Sequence, residues 1–393
     1  MSILFVLCLG VFCSTTGWRV VEPMLFPIAG ELGVSVNEAV LLATAYSIPF
    51  GLMSLVFGPM ADSLGKVRVI LWSLVFIALS QVLMALSTSL PMMLAARVLG
   101  GIFAGGVNPV VVALMSELIP YAQRQVALAR FTFAHISGQM AGAAVAGMLV
   151  DHIGWRAMLF GVGVFVAGVL AISVRALRGH RDTRKTLSIA RLVADYRSIF
   201  ERSLSWVVLG VLVFEGILVL GIIAFVPAML VAHEAVGSAP AGIVIACFAL
   251  GGLAFAFSVK QFLAWLGPWN MLRVGGTITG LALLGTALPL HWTAVAGLFF
   301  LAGFGFYLLH SPIQLCTTEL APRARGAGLS MASLAYTGGQ GLGPLIGAAV
   351  AGATGYGTLF ALSGLLTVVF GFVAAALIAA RAGPRPTGTT KPV

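Results

Sequence analysis

The sequence predicts an all-α membrane protein of twelve transmembrane helices arranged as two pseudo-symmetric six-helix bundles. Three observations carry that expectation. The first is composition: of 393 residues, 60% are hydrophobic and 9% charged, and the mean hydropathy is +1.07, whereas soluble domains run at about 45–50% apolar and about 25% charged. The second is that the apolar residues fall in continuous runs broken by short polar stretches. Each run reaches the roughly 20 residues that a helix needs to cross a bilayer, and none alternates as the strands of a porin-like barrel would. Helices satisfy their own backbone polar groups in lipid, so the runs read as helices. The third is an internal repeat. SGQMAGAAVAG at 137–147 lies over GGQGLGPLIGA at 338–348, and Gly154-Trp155 over Gly355-Tyr356, at an offset of 201; SELIP at 116–120 lies over TELAP at 318–322 at 202.

In chain order, residues 1–177 form a first bundle. Its first span, 3–29, lacks a basic stretch before the apolar run, so it reads as a retained helix rather than a cleaved signal. Arg19 and Glu22 lie three apart on one face of it, beside Pro23. Spans 38–60 and 68–87 flank the stretch GPMADSLGKVR, which brings Gly58, Asp62, Gly65, Lys66 and Arg68 together. Span 91–116 carries Arg97, Asn108 and Pro109, with Glu117 at its end. Span 131–150 carries Gly138, Gly142 and Gly147, and 156–176 completes the half.

Residues 178–203 form the one long polar segment, in which the spacing of Leu187, Arg191 and Ala194 predicts a helix at the membrane surface. The second bundle is 204–381. Span 204–232 holds Glu215, and 240–259 leads to a loop, KQFLAWLGPWN. After 271–289, span 292–316 holds His310 and Pro312. Span 327–351 holds Gly339, Gly343, Pro344 and Gly347, 357–380 closes the bundle, and 382–393 is a tail. Glycines at such spacing let helices approach closely. They mark either sliding surfaces between the halves or ordinary packing faces.

Charge gives the orientation. Of the 22 Lys and Arg, 19 fall on the side of the termini, Arg156 falls opposite, and Arg19 and Arg97 lie within spans. By the positive-inside rule both termini and the central loop are cytoplasmic. The same asymmetry accounts for the net charge of +10 without nucleic acid, because the basic residues are scattered and lack aromatic neighbours for base stacking. The four cysteines lie in apolar spans without CxxC spacing, so neither disulfide nor metal is expected, and no cofactor. GxxxxGK[ST], HExxH and GxSxG are absent from the sequence, which argues against an ATP-driven pump and an intramembrane enzyme.

GPMADSLGKVR resembles the loop between helices 2 and 3 of the major facilitator superfamily: Gly58, Asp62, Gly65, Lys66 and Arg68 fit, while Met60 and Ser63 depart. LAARVLGGIFAGG at 94–106 resembles the family's helix 4, with Arg97 and Gly101 in place and Gly100 where Gln is usual. WRVVEPMLFPIAGELGVS, TAYSIPFGL and DHIGWR are similar to the bacterial drug and sugar efflux, drug:proton antiporter, group. The antiporter pattern of helix 5 has lost its proline to Ala143; its intact form, Gly343, Pro344, Gly347, lies in helix 11. The resemblance implies a proton-coupled secondary transporter of the bacterial inner membrane, with its site between the halves. It also implies a cytoplasmic gate in which Asp62 binds the N-terminus of helix 11 in the outward-open state, with Lys66 and Arg68 available to Glu117. In the second half Lys260, Ala264 and Pro268 stand for Gly58, Asp62 and Lys66, so the gate is expected to rest on the first-half loop.

Ionisable residues inside a membrane are costly and mark function. Glu22 is the first candidate for the coupling proton and Glu215 the second, because a carboxyl's hold on a proton depends on burial and on the distance to an arginine. Arg19 and Glu22 read equally as a structural pair. Arg19, Arg97, Asn108 and His310 are the expected cavity residues, Asn108 and His310 being repeat mates beside prolines. Either could face substrate or serve packing. The partners expected are a small molecule, protons and lipid, for a monomer. Efflux of lipophilic or sugar-like compounds leads; exchange or uptake of an organic anion bound by the arginines is the alternative, and a non-transporting sensor the remote one. A cysteine at Ser188 should resist an impermeant maleimide on intact cells, and ready labelling would overturn the orientation.

Overall fold

A computed structural model describes residues 3–179, 189–234, 236–321 and 325–381. The tail and much of the central loop, including Leu187, therefore lie outside the described residues. The described chain is helical, with no strand among the described residues. The first half comprises α1 (Ile3–Arg19), α2 (Leu25–Leu32), α3 (Val36–Ala39), α4 (Leu41–Leu64), α5 (Lys66–Ala85), α6 (Leu90–Ala104), α7 (Val107–Leu118) and α8 (Tyr121–Ala176). α9 (Ile189–Phe200) follows in the central segment. Then come α10 (Ser203–Glu215), α11 (Val226–Glu234), α12 (Ser238–Thr286), α13 (Trp292–Thr317), α14 (Arg325–Thr354) and α15 (Tyr356–Arg381).

Nine helical runs of the described residues are long and apolar enough to cross a membrane. The two longest helices turn corners at single glycines. Gly154 in α8 (φ 79°) and Gly267 in α12 (φ 66°) adopt left-handed backbone, which glycine enters without a Cβ clash. The predicted loop 260–270 is thereby corrected: α12 continues through it to the corner at Gly267, because the stretch holds no helix breaker before that glycine. α14 falls outside the nine runs because its Gly and Ser content dilutes its apolarity.

The first helix of each half is broken. A 3-10 turn at Glu22–Met24 separates α1 from α2, where Pro23 has no N–H to give to the helical ladder. After α10 a π-helical turn, Gly216–Leu220, and a 3-10 turn, Ile222–Phe225, precede α11. Packing repeats as the sequence does. Gly138 lies against the Phe12 backbone and Gly339 against that of Val213, so both contact partners are displaced by the same 201 residues, 12 to 213 and 138 to 339.

Most of these glycines pack within their own half. Gly138 and Gly142 abut α1, Gly339 abuts α10, and Gly343 and Gly347 abut the turns that follow α10, all inside their own half of the chain. Pro344 is buried within α14. Only Gly147 of the group meets the other half: a Cβ there would sit 2.7 Å from the Cα of Gly242 in α12. At the same end Asp151 of α8 accepts a hydrogen bond from the Ser238 amide (2.9 Å), capping the first turn of α12. α4 runs along α14, with Thr44 Oγ1 donating to the Gly341 carbonyl at 2.7 Å and Ser54 Oγ to that of Ser330 at 3.4 Å. α9 is tied in by Tyr196, whose hydroxyl donates to the Leu55 carbonyl (2.9 Å). That carbonyl lacks its helical donor because Pro59 stands four residues on.

Gly242→Leu should lower the thermal midpoint in detergent, since overpacking costs about 1–3 kcal/mol and its Cβ would lie 2.5 Å from the Ala143 carbonyl. Gly210→Ala, where a Cβ meets nothing within 4 Å, should leave it unchanged. Equal midpoints for both variants would contradict the backbone contact between α8 and α12.

Candidate functional site: a cavity between the halves

A cavity of about 490 Å³ lies between the halves. α8, α12, α13 and α14 form most of its wall, and Thr132, Gln314 and Leu329 stand exposed at its mouth. The opposite end is shut by the Gly147–Gly242 contact and the Asp151 cap. The mouth faces the end of the molecule where α4 meets α5, so the structure is open there and closed at the end of Asp151.

Local breaks in the helices place the polar groups of the wall. α6 ends at Ala104 and α7 begins at Val107, bringing Asn108 and Pro109 to the cavity. Asn108 Nδ2 lies 3.4 Å from Nδ1 of His135 on α8, while its Oδ1 is buried without a partner. His310 stacks on Phe306 (ring centroids 5.5 Å apart) and its Nδ1 lies 2.9 Å from Oε2 of Glu215. Glu215 is fully buried at the end of α10, with Oε1 unpartnered, and reaches the cavity only through His310. Aromatic faces complete the wall, among them Trp18, Phe131, Phe248, Tyr307 and Tyr336. Among the described residues, the lining contains no Asp, Glu, Lys or Arg.

The arginines expected in the cavity are elsewhere. Arg97 is 1% exposed. Its Nε donates to the Leu42 carbonyl, and its two terminal nitrogens donate to those of Gly17 (2.5 Å) and Trp18 (2.6 Å). The last carbonyls of a helix lack intrahelical donors, and α1 ends early, at Arg19. The guanidinium therefore closes the break in α1 and lies over the Tyr46 ring (4.2 Å). Arg19 is also buried: its NH1 donates to Glu22 Oε1 (2.5 Å) and its Nε to Gln139 Oε1 (3.2 Å). The second carboxylate oxygen of Glu22 has no partner. The expected Arg19–Glu22 pair is thus present, but behind the cavity wall.

At the open end Lys66 is 3% exposed and bridges Asp62 (2.6 Å) and Glu117 (2.9 Å). Gly65 holds the turn at φ 107°. Gly58 lies beside Ser330 of α14, and Arg68 is exposed. Asp62 is engaged with Lys66, and the approach to α14 at 322–324 lies outside the described residues. At the closed end Trp155 Nε1 and Arg156 Nε donate to Glu31 (2.6 and 2.8 Å), giving the DHIGWR stretch a clamp. The sequence reading missed His135 and Gln139, both on the wall. Their signal was two polar residues four apart in an apolar helix, hence on one face.

A helical membrane protein with a polar and aromatic cavity, shut at one end and open at the other, has the architecture of a transporter. Residues 7–327 match the Major Facilitator Superfamily, and the chain belongs to that family, whose members are transporters and not enzymes. Over 179 residues it is 30% identical to the multidrug export protein EmrB of Escherichia coli K12, covering 45% of this chain and 35% of EmrB. It is 26% identical over 185 residues to the quinolone resistance protein NorA of Staphylococcus aureus Mu50, covering 47% of each. The chain thus spans less than half the length of these relatives. A bacterial homologue of the human lysosomal transporter Spinster, solved in an inward-facing, unoccupied conformation, shares the fold: TM-score 0.76 and 19% identity over 97% of this chain and 96% of that one.

Arg97→Leu should lower the thermal midpoint by leaving carbonyls of Gly17, Trp18 and Leu42 unpaired, at about 1–3 kcal/mol for a buried unsatisfied group. An unchanged midpoint together with lost binding of an organic anion would return Arg97 to the cavity.

Proposed function

We propose that this chain is a secondary active transporter working by alternating access, which exports small lipophilic or sugar-like compounds in exchange for protons. The observation that supports it best is the cavity wall: aromatic faces with amide, hydroxyl and imidazole groups and no charged side chain among the described residues. Such a wall suits neutral or cationic aromatic compounds, or a sugar ring stacked on an aromatic face. The organic-anion reading loses its support, since Arg19 is bound to Glu22 and Arg97 to carbonyls. Two buried acids just outside the wall, Glu22 and Glu215, are the proton sites proposed, Glu22 first because its Arg19 partner stands at the break in α1.

The nine runs, with corners at Gly154 and Gly267 dividing two of them and α14 added, count as twelve crossings in two bundles, 1–177 and 204–381. The open end is the cytoplasmic one on the basic bias of the loops. Asp62 is proposed to leave Lys66 for the N-terminus of α14 when that end closes, the attraction being that of a carboxylate for a helix N-terminus.

The test is a thermal-shift screen of the purified protein against aromatic cations, neutral drugs, sugars and organic acids, followed by proton release on adding a stabilising compound. The expected result is stabilisation by the first three classes and release that is lost in Glu22→Gln. Stabilisation by organic acids alone would overturn the substrate class, and equal release from Glu22→Gln would move the proton to Glu215.

A further inference from the structure

We infer that Gln139 is the positioning residue that carries substrate occupancy to the Arg19–Glu22 pair; this rests on the proton-exchange reading above and deepens it. The large cavity touches neither Arg19 nor Glu22. Beyond its wall is a recess of about 10 Å³, bordered by Arg19, Gln139, Ile223, Ile245, Phe248 and Ala249, with room for no more than about one water. Three residues line both spaces, Gln139, Phe248 and Ala249, and of these only Gln139 is polar. A substrate in the cavity therefore has one polar route to the ion pair.

The hydrogen bonds give that route a direction. Gln139 Oε1 holds Nε of Arg19, and Arg19 reaches Glu22 through a single nitrogen, leaving Glu22 Oε2 buried and unpartnered. The guanidinium is thus held short of the two-pronged grip on a carboxylate that its geometry favours. The Gln139 backbone cannot yield, because Thr16 Oγ1 of α1 donates to the neighbouring Gly138 carbonyl (3.1 Å) and the glycine itself abuts the Phe12 backbone. Only the amide side chain is free to respond.

The step follows. A substrate N–H or O–H donates to Gln139 Oε1, and Arg19 Nε loses its acceptor. The guanidinium turns and places a second N–H on Glu22 Oε2. A proton carried on Oε2 is displaced: its O–H bond breaks, the carboxylate is left with two charge-assisted bonds, and the proton passes to water. Protonation of Oε2 reverses each movement and returns Arg19 to Gln139, so proton and donor-bearing substrate compete by linkage. The other charge near the pair is constant: Arg97, whose charge acts on both Glu22 and Arg19, stays fixed on its carbonyls, His135 on the preceding turn of α8 faces Asn108, and among the described residues the second half presents only Ile223, Ile245, Phe248 and Ala249 to the recess.

The experiment uses the full chain in detergent with ethidium, an aromatic cation that carries amino donors, and tetraphenylphosphonium, one that carries none. Binding is read by fluorescence or calorimetry, and proton release by a pH indicator in weak buffer. Wild type should release protons with ethidium and not with tetraphenylphosphonium. Gln139→Met loses the hydrogen bond from the ligand and should bind ethidium up to about tenfold more weakly, while at saturating ethidium its release per ligand bound falls about fivefold or more. Unchanged release from Gln139→Met, or release on binding tetraphenylphosphonium, would overturn the inference. So would loss of binding in step with release, which would make Gln139 a plain contact. Glu22→Gln run in parallel separates the two readings: if it abolishes release and Gln139→Met does not, only the role of Gln139 fails; if it releases like wild type, the Glu22 reading itself fails.

Discussion

Lipid offers a peptide group nothing to hydrogen-bond with, so every break in a membrane helix must find its partners inside the protein. A cavity at the middle of the membrane needs such breaks, because an unbroken apolar helix presents nothing polar to a ligand. The break after Arg19 shows how the conflict is resolved here. Pro23 prevents the helix from continuing, and Arg97 reaches across from α6 to take the carbonyls of Gly17 and Trp18. The conformation of the first helix, and with it the placing of Trp18, Arg19 and Glu22 around the wall, depends on that one guanidinium.

The same logic runs outward from the break. Because Arg97 is engaged by the backbone, it is Arg19 that pairs directly with Glu22, and Gln139 shares Arg19. Another orphan carbonyl, at Leu55, is met by Tyr196, which fastens α9 to α4. Helices that approach as closely as these have glycine where they touch: a Cβ at Gly142 would lie 2.6 Å from the Thr16 carbonyl, and one at Gly343 would lie 2.7 Å from the Cα of Gly221. Most of the glycine pattern therefore serves cohesion within each half. At the closed end the halves meet at Gly147 and Gly242, at the Asp151 cap on Ser238, and where the Tyr356 hydroxyl donates to Asn37 Oδ1 (3.3 Å).

The two ends of the molecule are chemically different. The open end carries Lys66 between two carboxylates. The closed end relies on backbone contact and a helix cap, while Glu31 is held by Trp155 and Arg156 within the first half.

Sequence by itself determined the helical membrane class, the repeat and the charged loop, because apolar run length, a fixed offset and the rarity of charge are properties of the chain alone. It also singled out Asn108 and His310, which line the cavity, and Arg19 with Glu22, which form an ion pair, since proline proximity and a spacing of three are local. Only the tertiary structure decided what each buried charge faces. Arg19 and Arg97 look alike as intramembrane arginines, yet one holds a carboxylate and the other three carbonyls. His135 and Gln139 sat unnoticed in a glycine-rich helix, although one faces Asn108 and the other joins the cavity to the ion pair. The reason is geometric: a side chain's partner across the membrane core lies many tens of residues away, and helical periodicity gives the face a residue occupies but not which helix that face meets.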